Sequence, residues 1–163
     1  MSEKIALLLD SCSDAPSFLD KREYVRIIPL LIHWDGKTLR DRIDIQPKEF
    51  YKRIKKGDDL PKTSSPKSGD ILEKIRDLKE AGYQKIIAIT ISSGLSVTFN
   101  QIKIAAEQEK SVEIAVIDSK SIGIGSGLFA AYADDLIQKG FDFDEIVKRL
   151  EKSVPTSKIF FYI

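Results

Sequence analysis

Hydroxyl side chains gather at four places along the chain, each beside an apolar run or ahead of a helix pattern. The segments are "DSCSD" (10–14), "KTSSP" (62–66), "TISSG" (90–94) and "DSKS" (118–121). A serine or threonine hydroxyl donates one hydrogen bond and accepts two, so such a set can hold an anion, cap a helix or supply a nucleophile. Capping is the plainer use, since hydroxyls satisfy free N–H groups at helix starts. Four clusters carry more hydroxyls than caps require. The stretch "TISSGLSVTFNQ" (90–101) contains no lysine or arginine. A nucleotide phosphate would call for a glycine-rich cradle with a lysine; no GxxxxGK[ST] occurs, and "GIGSG" (123–127) lacks the GxGxxG spacing. Those glycines suit close approach of a helix to the sheet or to a ligand. A singly charged carboxylate needs only two hydroxyl donors and a helix N-terminus.

Other chemistry finds little support. His33 is the single histidine and stands beside Trp34 near the end of a strand pattern, a position that suits a structural residue better than half of a catalytic pair. The GxSxG elbow of serine hydrolases is missing. One histidine and one cysteine cannot build a zinc site, so no metal and no cofactor is expected. Cys12 could sit at a helix N-terminus that lowers its pKa, or be a small buried thiol without reactivity; the second reading is preferred. "DFDE" (142–145) reads as a helix start with favourable acids.

The elements that must position these groups alternate. "KIALLLD" (4–10), "VRIIPLLIHW" (25–34), "KIIAITIS" (85–92) and "VEIAVID" (112–118) are apolar and rich in β-branched residues, as parallel strands buried on both faces should be. Helices are expected over 47–56, 96–109, 122–139 and 143–152. Another spans the segment from Ser65 as N-cap, with Pro66 at the first helical position, to Gly82 as the stop. Asp35-Gly36 marks a hairpin, an antiparallel excursion within 35–46. "KIFFYI" (158–163) reads as a strand that ends the chain. The fold class expected is α/β, a three-layer α/β/α domain with a mainly parallel sheet. In such a sheet ligands bind outside the carboxyl ends of the strands, so the hydroxyl clusters could line one rim.

The chain has 163 residues, the size of one domain with a sizeable core. Its 26 basic and 25 acidic residues nearly cancel, so net charge predicts neither a nucleic-acid nor an anionic-membrane partner. A single cysteine excludes an internal disulfide framework and fits a cytoplasmic location. The first apolar run is short and ends in an acid, which suits a buried strand and neither a signal peptide nor a stable membrane insertion.

Five segments, in this order and spacing, carry a resemblance: "IALLLDSCSD", "IIPLLIHWDGKTLRDRIDIQPKEFY", "LPKTSSPKSGDILE", "ISSGLSVTFNQIKIAA" and "VIDSKSIGIGSGL". Together they resemble the DegV family of bacterial fatty-acid-binding proteins. The resemblance implies a two-domain α/β protein, with residues 1–155 forming a DegV-like N-terminal domain. Residues 156–163 would be the first strand of a C-terminal domain largely absent from this chain. It implies a long-chain fatty acid, palmitate-, stearate- or oleate-like, in an apolar tunnel. By position Thr63 and Ser93 would hold the carboxylate, with Ser92 and Ser64 as neighbours; the rest of the expected ligand site is Ser96, Ser11, Cys12, Ser119 and Gly94. It further implies a lipid carrier without catalysis of its own, presenting the acid to a separate ATP-dependent fatty acid kinase subunit that yields acyl phosphate for phospholipid synthesis. Departures from the family pattern are Val97 where glycine is usual, Ser65 where glutamine is common and Cys12 where threonine is common. A shortened chain would bind lipid weakly. Two alternatives stand beside this reading: a serine-dependent hydrolase or transferase working on a small carboxylate or phosphate ester through Ser93, and a domain that associates with other chains through an exposed edge.

Overall fold

A computed structural model describes residues 3–160 of the chain. Its strands are β1 (Ile5–Asp10), β2 (Val25–Ile28), β3 (Leu31–Trp34), β4 (Lys37–Arg40), β5 (Lys62–Ser64), β6 (Lys85–Thr90) and β7 (Glu113–Asp118). Its α-helices are α1 (Pro47–Lys55), α2 (Ser68–Glu80), α3 (Thr98–Gln108), α4 (Ile124–Gln138) and α5 (Phe143–Ser153). Four strands form a parallel sheet in the order β2-β1-β6-β7, and three form an antiparallel sheet in the order β4-β3-β5.

Every residue of β1 is buried, which explains its continuous apolar run. Because successive side chains point to opposite faces, Ile5, Leu7 and Leu9 pack with Phe129, Ala133, Ile146 and Leu150 of α4 and α5. Ala6 and Leu8 pack on the other face with Ile71, Ile75 and Leu78 of α2 and Ile102 of α3. The result is the three-layer α/β/α arrangement with a parallel central sheet that the alternating pattern implies. Each fully buried leucine or isoleucine contributes roughly 1.5–3 kcal/mol, so this twofold core fixes where the strand ends lie. A third, smaller core joins Ile32 and Trp34 of β3 with Ile45, Phe50 and Ile54, and the Arg53 guanidinium stacks over the Trp34 ring at 3.9 Å from its centroid.

The segment 25–34 is two strands in two different sheets, where one strand is expected from its composition. Pro29 interrupts it: proline has no N–H to give to a ladder. The next N–H, of Leu30, donates to Ser11 Oγ at 3.0 Å, and the Leu30 carbonyl accepts from Asp41 N at 2.9 Å. The break carries the chain out of the parallel sheet into the small one. The hairpin at Asp35-Gly36 forms as expected, with φ of 50° and 72°, the left-handed pair that a tight hairpin demands.

Three helix starts differ from expectation. The helix after "KTSSP" begins at Ser68 with Lys67 as N-cap, so Ser65 does not cap it. Pro66 holds the preceding residue extended, and Lys62–Ser64 has already paired with β3. α3 begins at Thr98 rather than 96, and α4 at Ile124 after Gly123, whose φ is 58°. The acids of 142–145 act as expected, with Asp142 accepting from Glu145 N at 2.8 Å. Residues 157–160 carry no strand, and the rest of the expected strand over 158–163 lies outside the described residues. Among the described residues no helix is long and apolar enough to cross a membrane, and no group of three or more His, Cys, Asp or Glu gathers to hold a metal.

Candidate functional site

From β1 the chain builds outward to β2 on one side and to β6 and β7 on the other, so the crevice between the loops after β1 and β6 is the switch point of the sheet. Asp10, the last residue of β1, ties those loops together. It is 1% exposed and accepts from Ile91 N at 2.8 Å and from Ser13 Oγ at 3.2 Å. Burial pushes its carboxyl up to about 6, against the lowering effect of those donors and of the Cys12 and Ser13 backbone N–H groups. Ser13 Oγ also lies 3.1 Å from Ser126 Oγ, joining the β1 loop to α4. The helix comes this close because residue 127 is glycine. A Cβ at that position would stand 2.5 Å from the Ser13 carbonyl oxygen and 2.8 Å from that of Asp14, so the packing role of "GIGSG" is realised at Gly127.

The small sheet delivers the second wall. Thr63 pairs opposite Ile32 in the β3–β5 ladder, and Leu31 pairs opposite Ser64. Thr63 and Ser93, the two hydroxyls expected to meet, line one cleft of about 510 Å³, together with Ser64, Gly94, Ser96 and Cys12. Leu30, Ile91 and Ile122 supply its apolar side. A second hollow of about 480 Å³ adjoins it, sharing Cys12, Leu30, Thr63 and Ile122 and continuing to Ile32, Phe50 and Tyr51. Thus the hydroxyls gather in the cleft, and the adjoining hollow is mostly apolar, with Asp14, Asp41 and Arg42 also in its lining. Each volume falls in the roughly 300–1,000 Å³ range of small-molecule sites.

The remaining expected site residues divide. Ser64 Oγ lies 2.8 Å from His33 Nε2, whose Nδ1 lies 3.0 Å from Thr38 Oγ1. The histidine therefore serves the small sheet and is paired with Ser64, not Ser93. Ser96 Oγ lies 2.8 Å from Thr98 Oγ1 and accepts from Thr98 N at 3.2 Å, closing the turn into α3. Ser92 Oγ accepts from Gly94 N at 3.2 Å, and Ser92 N donates to the Ser121 carbonyl at 2.7 Å, so it shapes the loop rather than facing the cleft. Ser11 reaches only the apolar hollow, its oxygen engaged by Leu30 N. Ser119 is fully buried and its hydroxyl bonds only within its own turn, donating to the Ser121 carbonyl and accepting from Ser121 N. Its expected place on the rim gives way to this turn, while Ile122 of the same loop lines the cleft and Lys120 reaches Ser93. Burial, and then Asp10, Asp41 and Asp14, push the Cys12 thiol up to about 12, which matches an unreactive cysteine.

One residue of the site is absent from the sequence reading. Lys120 Nζ donates to Ser93 Oγ at 3.0 Å and pairs with Asp118 Oδ2 at 2.6 Å. Asp118 Oδ1 accepts from the backbone N–H groups of both Ser93 and Lys120, each at 3.1 Å. Burial alone would raise the Asp118 carboxyl, but the Lys120 and Ser93 donors outweigh it and hold it below its ordinary value. The hydroxyl block of 90–101 thus acquires a cation from the next strand's loop. "DSKS" carried the signal, but only the pairing of β6 with β7 shows that residue 120 returns to residue 93.

The sequence profile of a family described as "Uncharacterised protein, DegV family" matches residues 4–163. A DegV domain-containing protein of Clostridium acetobutylicum is 33% identical over 161 residues, 99% of this chain and 57% of the relative. Protein DegV of Bacillus subtilis is 30% identical over 160 residues, 98% of this chain and 57% of the relative. The solved structure of Bacillus subtilis DegV, described as a fatty acid binding protein, superposes with a TM-score of 0.86 at 30% identity over 94% of this chain and 55% of that one. A DegV family protein of Thermus thermophilus, described by its fatty acid binding, gives 0.82 at 28% identity, covering 93% and 54%. A stearic acid-binding protein of Eubacterium ventriosum gives 0.78 at 26% identity, covering 91% and 52%. The chain therefore spans a little over half the length of the relatives it matches.

Proposed function

The chain belongs to the DegV family, and from that premise we propose that it binds a long-chain fatty acid, with the carboxylate at the hydroxyl cleft and the acyl chain along the apolar hollow. The observation that carries this reading is the shared cleft of Thr63 and Ser93, which adjoins, across Cys12, Leu30, Thr63 and Ile122, a hollow that continues to Ile32, Phe50 and Tyr51. Hydroxyl donors suit a singly charged carboxylate, and each methylene laid on the apolar wall contributes about 0.8 kcal/mol. Binding without covalent chemistry fits the place of the single histidine, which is paired with Ser64 and not with Ser93. In the same reading a separate ATP-dependent kinase subunit meets the bound acid at the open rim, where Leu95 and Val97 are each 56% exposed. What supports this last step is that exposed rim together with the family resemblance.

Mass spectrometry of organic extracts of the purified protein tests the proposal. Palmitate-, stearate- or oleate-like acids are expected in the extract, and should be depleted in the Thr63→Ala, Ser93→Ala double variant. A clean extract together with no uptake of added palmitate would reject it. Turnover of a chromogenic ester that vanishes in Ser93→Ala would instead favour a hydrolase.

A further inference from the structure

Residues 31–64 form a small lobe with a core of its own, Ile32, Trp34 and Ile45 packed with Leu39, Phe50 and Ile54, separate from both cores of the parallel sheet. The chain enters the lobe at Pro29-Leu30 and leaves it at Ser65-Pro66. Each crossing is short and carries a proline, so bending there falls on few torsions. Between the lobe and the main domain lies the hollow of about 480 Å³, with Cys12, Asp14 and Ile122 on one side and Ile32, Phe50 and Thr63 on the other. Open space supplies no packing contacts, so the hollow does not itself hold the lobe down. Among the described residues a single ion pair joins the lobe to the rest: the Arg42 guanidinium donates to Asp14 Oδ1. Two further hydrogen bonds, Leu30 N to Ser11 Oγ and Asp41 N to the Leu30 carbonyl, meet at the entry crossing itself. Asp41, also in the lining, makes no ion pair among the described residues.

We propose that the Asp14–Arg42 ion pair is a clasp holding this lobe over the hollow, and that its release lets the acyl chain in and out. On the acyl reading of the hollow, on which this rests, the lobe is the gate. The Asp14 side chain is 59% exposed and that of Arg42 32%. Water and salt screen such a pair, so it holds the lobe lightly, as a gate that opens on each binding event requires. Its loss shifts an open–closed equilibrium by at most about fivefold.

Cys12, the single cysteine, lines both the cleft and the hollow under the lobe, so it reports the gate without any ligand. Labelling of the whole chain with N-ethylmaleimide should run about two- to fivefold faster in Asp14→Asn and in Arg42→Met, with the double variant no faster than either single one. Direct electrostatics predict a different pattern. Removing the acid lowers the thiol's pKa and removing the guanidinium raises it, so the two single variants would move in opposite directions. Opposite shifts, or no shift in either variant, would overturn the clasp. If Arg42→Met does not fold, Asp14→Asn carries the labelling test, since asparagine tolerates the left-handed φ of 41° at residue 14. Stopped-flow mixing with the fluorescent fatty acid cis-parinaric acid then reads the gate itself. Uptake and release should quicken by the same factor, leaving Kd within about twofold of the wild type. Faster release with unchanged uptake would make the pair a ligand contact and overturn the gate. Failure of the wild type to bind the acid, with labelling still faster in both variants, would reject the acyl reading and leave the clasp on the lobe standing.

Discussion

The two ends of the parallel sheet carry hollows of opposite character. At the amino ends lies the roomier one, about 1030 Å³, lined by Glu3, Lys4, Gln84, Lys85, Lys110 and Glu113 among others. Three of its charges pair with one another: Lys85 Nζ lies 2.9 Å from Glu3 Oε1 and 3.3 Å from Glu113 Oε2, and Glu3 Oε2 also accepts from Phe143 N, while Lys4 and Lys110 remain exposed to solvent. At the carboxyl ends the cleft has half the volume, but it gathers hydroxyls of Thr63, Ser64, Ser93 and Ser96, and a mostly apolar hollow adjoins it. Size therefore does not identify the site. In a parallel sheet all strands point the same way, so helix starts with their free N–H groups gather at one end and helix stops at the other. The backbone donors that could hold an anion face the smaller hollow for that reason.

The comparison breaks most visibly if the hydroxyls are removed. Thr63→Ala with Ser93→Ala deletes two charge-assisted hydrogen bonds, each about 1.5–3 kcal/mol, so palmitate affinity by isothermal titration should fall at least ~100-fold. A fall of less than about tenfold would place the carboxylate elsewhere. Next comes Gly127→Ala, which drives a Cβ against the carbonyl oxygens of Ser13 and Asp14. Backbone on both sides cannot yield cheaply, so the cost should be about 3 kcal/mol, a drop in melting temperature on the order of 5–10 °C. The damage should reach the cleft too, because the displaced loop carries Cys12.

Asp10 offers a pH signature of the same end. Its folded pKa of about 6 exceeds the ordinary 3.8, so the fold favours the protonated form. The stability this adds is complete below the unfolded pKa and is lost as pH rises through about 6. Asp10→Asn has no proton to lose there. The unfolding free energy of the wild type relative to Asp10→Asn should therefore fall by about 2–3 kcal/mol between pH 4 and pH 7. A flat difference in urea melts across that range would mean that Asp10 is not desolvated as the fold implies.

The layers of the main domain were legible because β1, β6 and β7 are apolar on both faces and the helices between them show one apolar stripe. The small sheet was harder to read. β5 is "KTS", with no apolar alternation at all, and it is a strand only because β3 offers it a partner. Pro29 was visible as a letter, but its effect depends on where Leu30 N finds Ser11. In the site, Thr63 and Ser93 were legible through the family resemblance and the hydroxyl clusters. Ser119 was not, since a serine that closes its own turn has the same sequence signature as one that faces a ligand. Lys120 was hidden because it acts on a residue 27 positions away.

The smallest expected effect is the sharpest control. Lys85 is the hub of the amino-end hollow, held above its ordinary pKa by its bond to Glu3, against some desolvation, and by Glu113. Lys85→Gln removes that hub. It begins β6, while Thr90 ends it, five steps of about 3.3 Å or roughly 16 Å away along the strand. Substitutions at such separations with no shared partner add independently, so palmitate affinity should stay within about twofold of the wild type. Because the ion pairs at this end are surface contacts screened by salt, any loss of stability should shrink as ionic strength rises. If Lys85→Gln weakened palmitate as much as the hydroxyl variants do, the acyl chain or its head group would have to reach the amino end, and the division of labour between the two ends would be reversed.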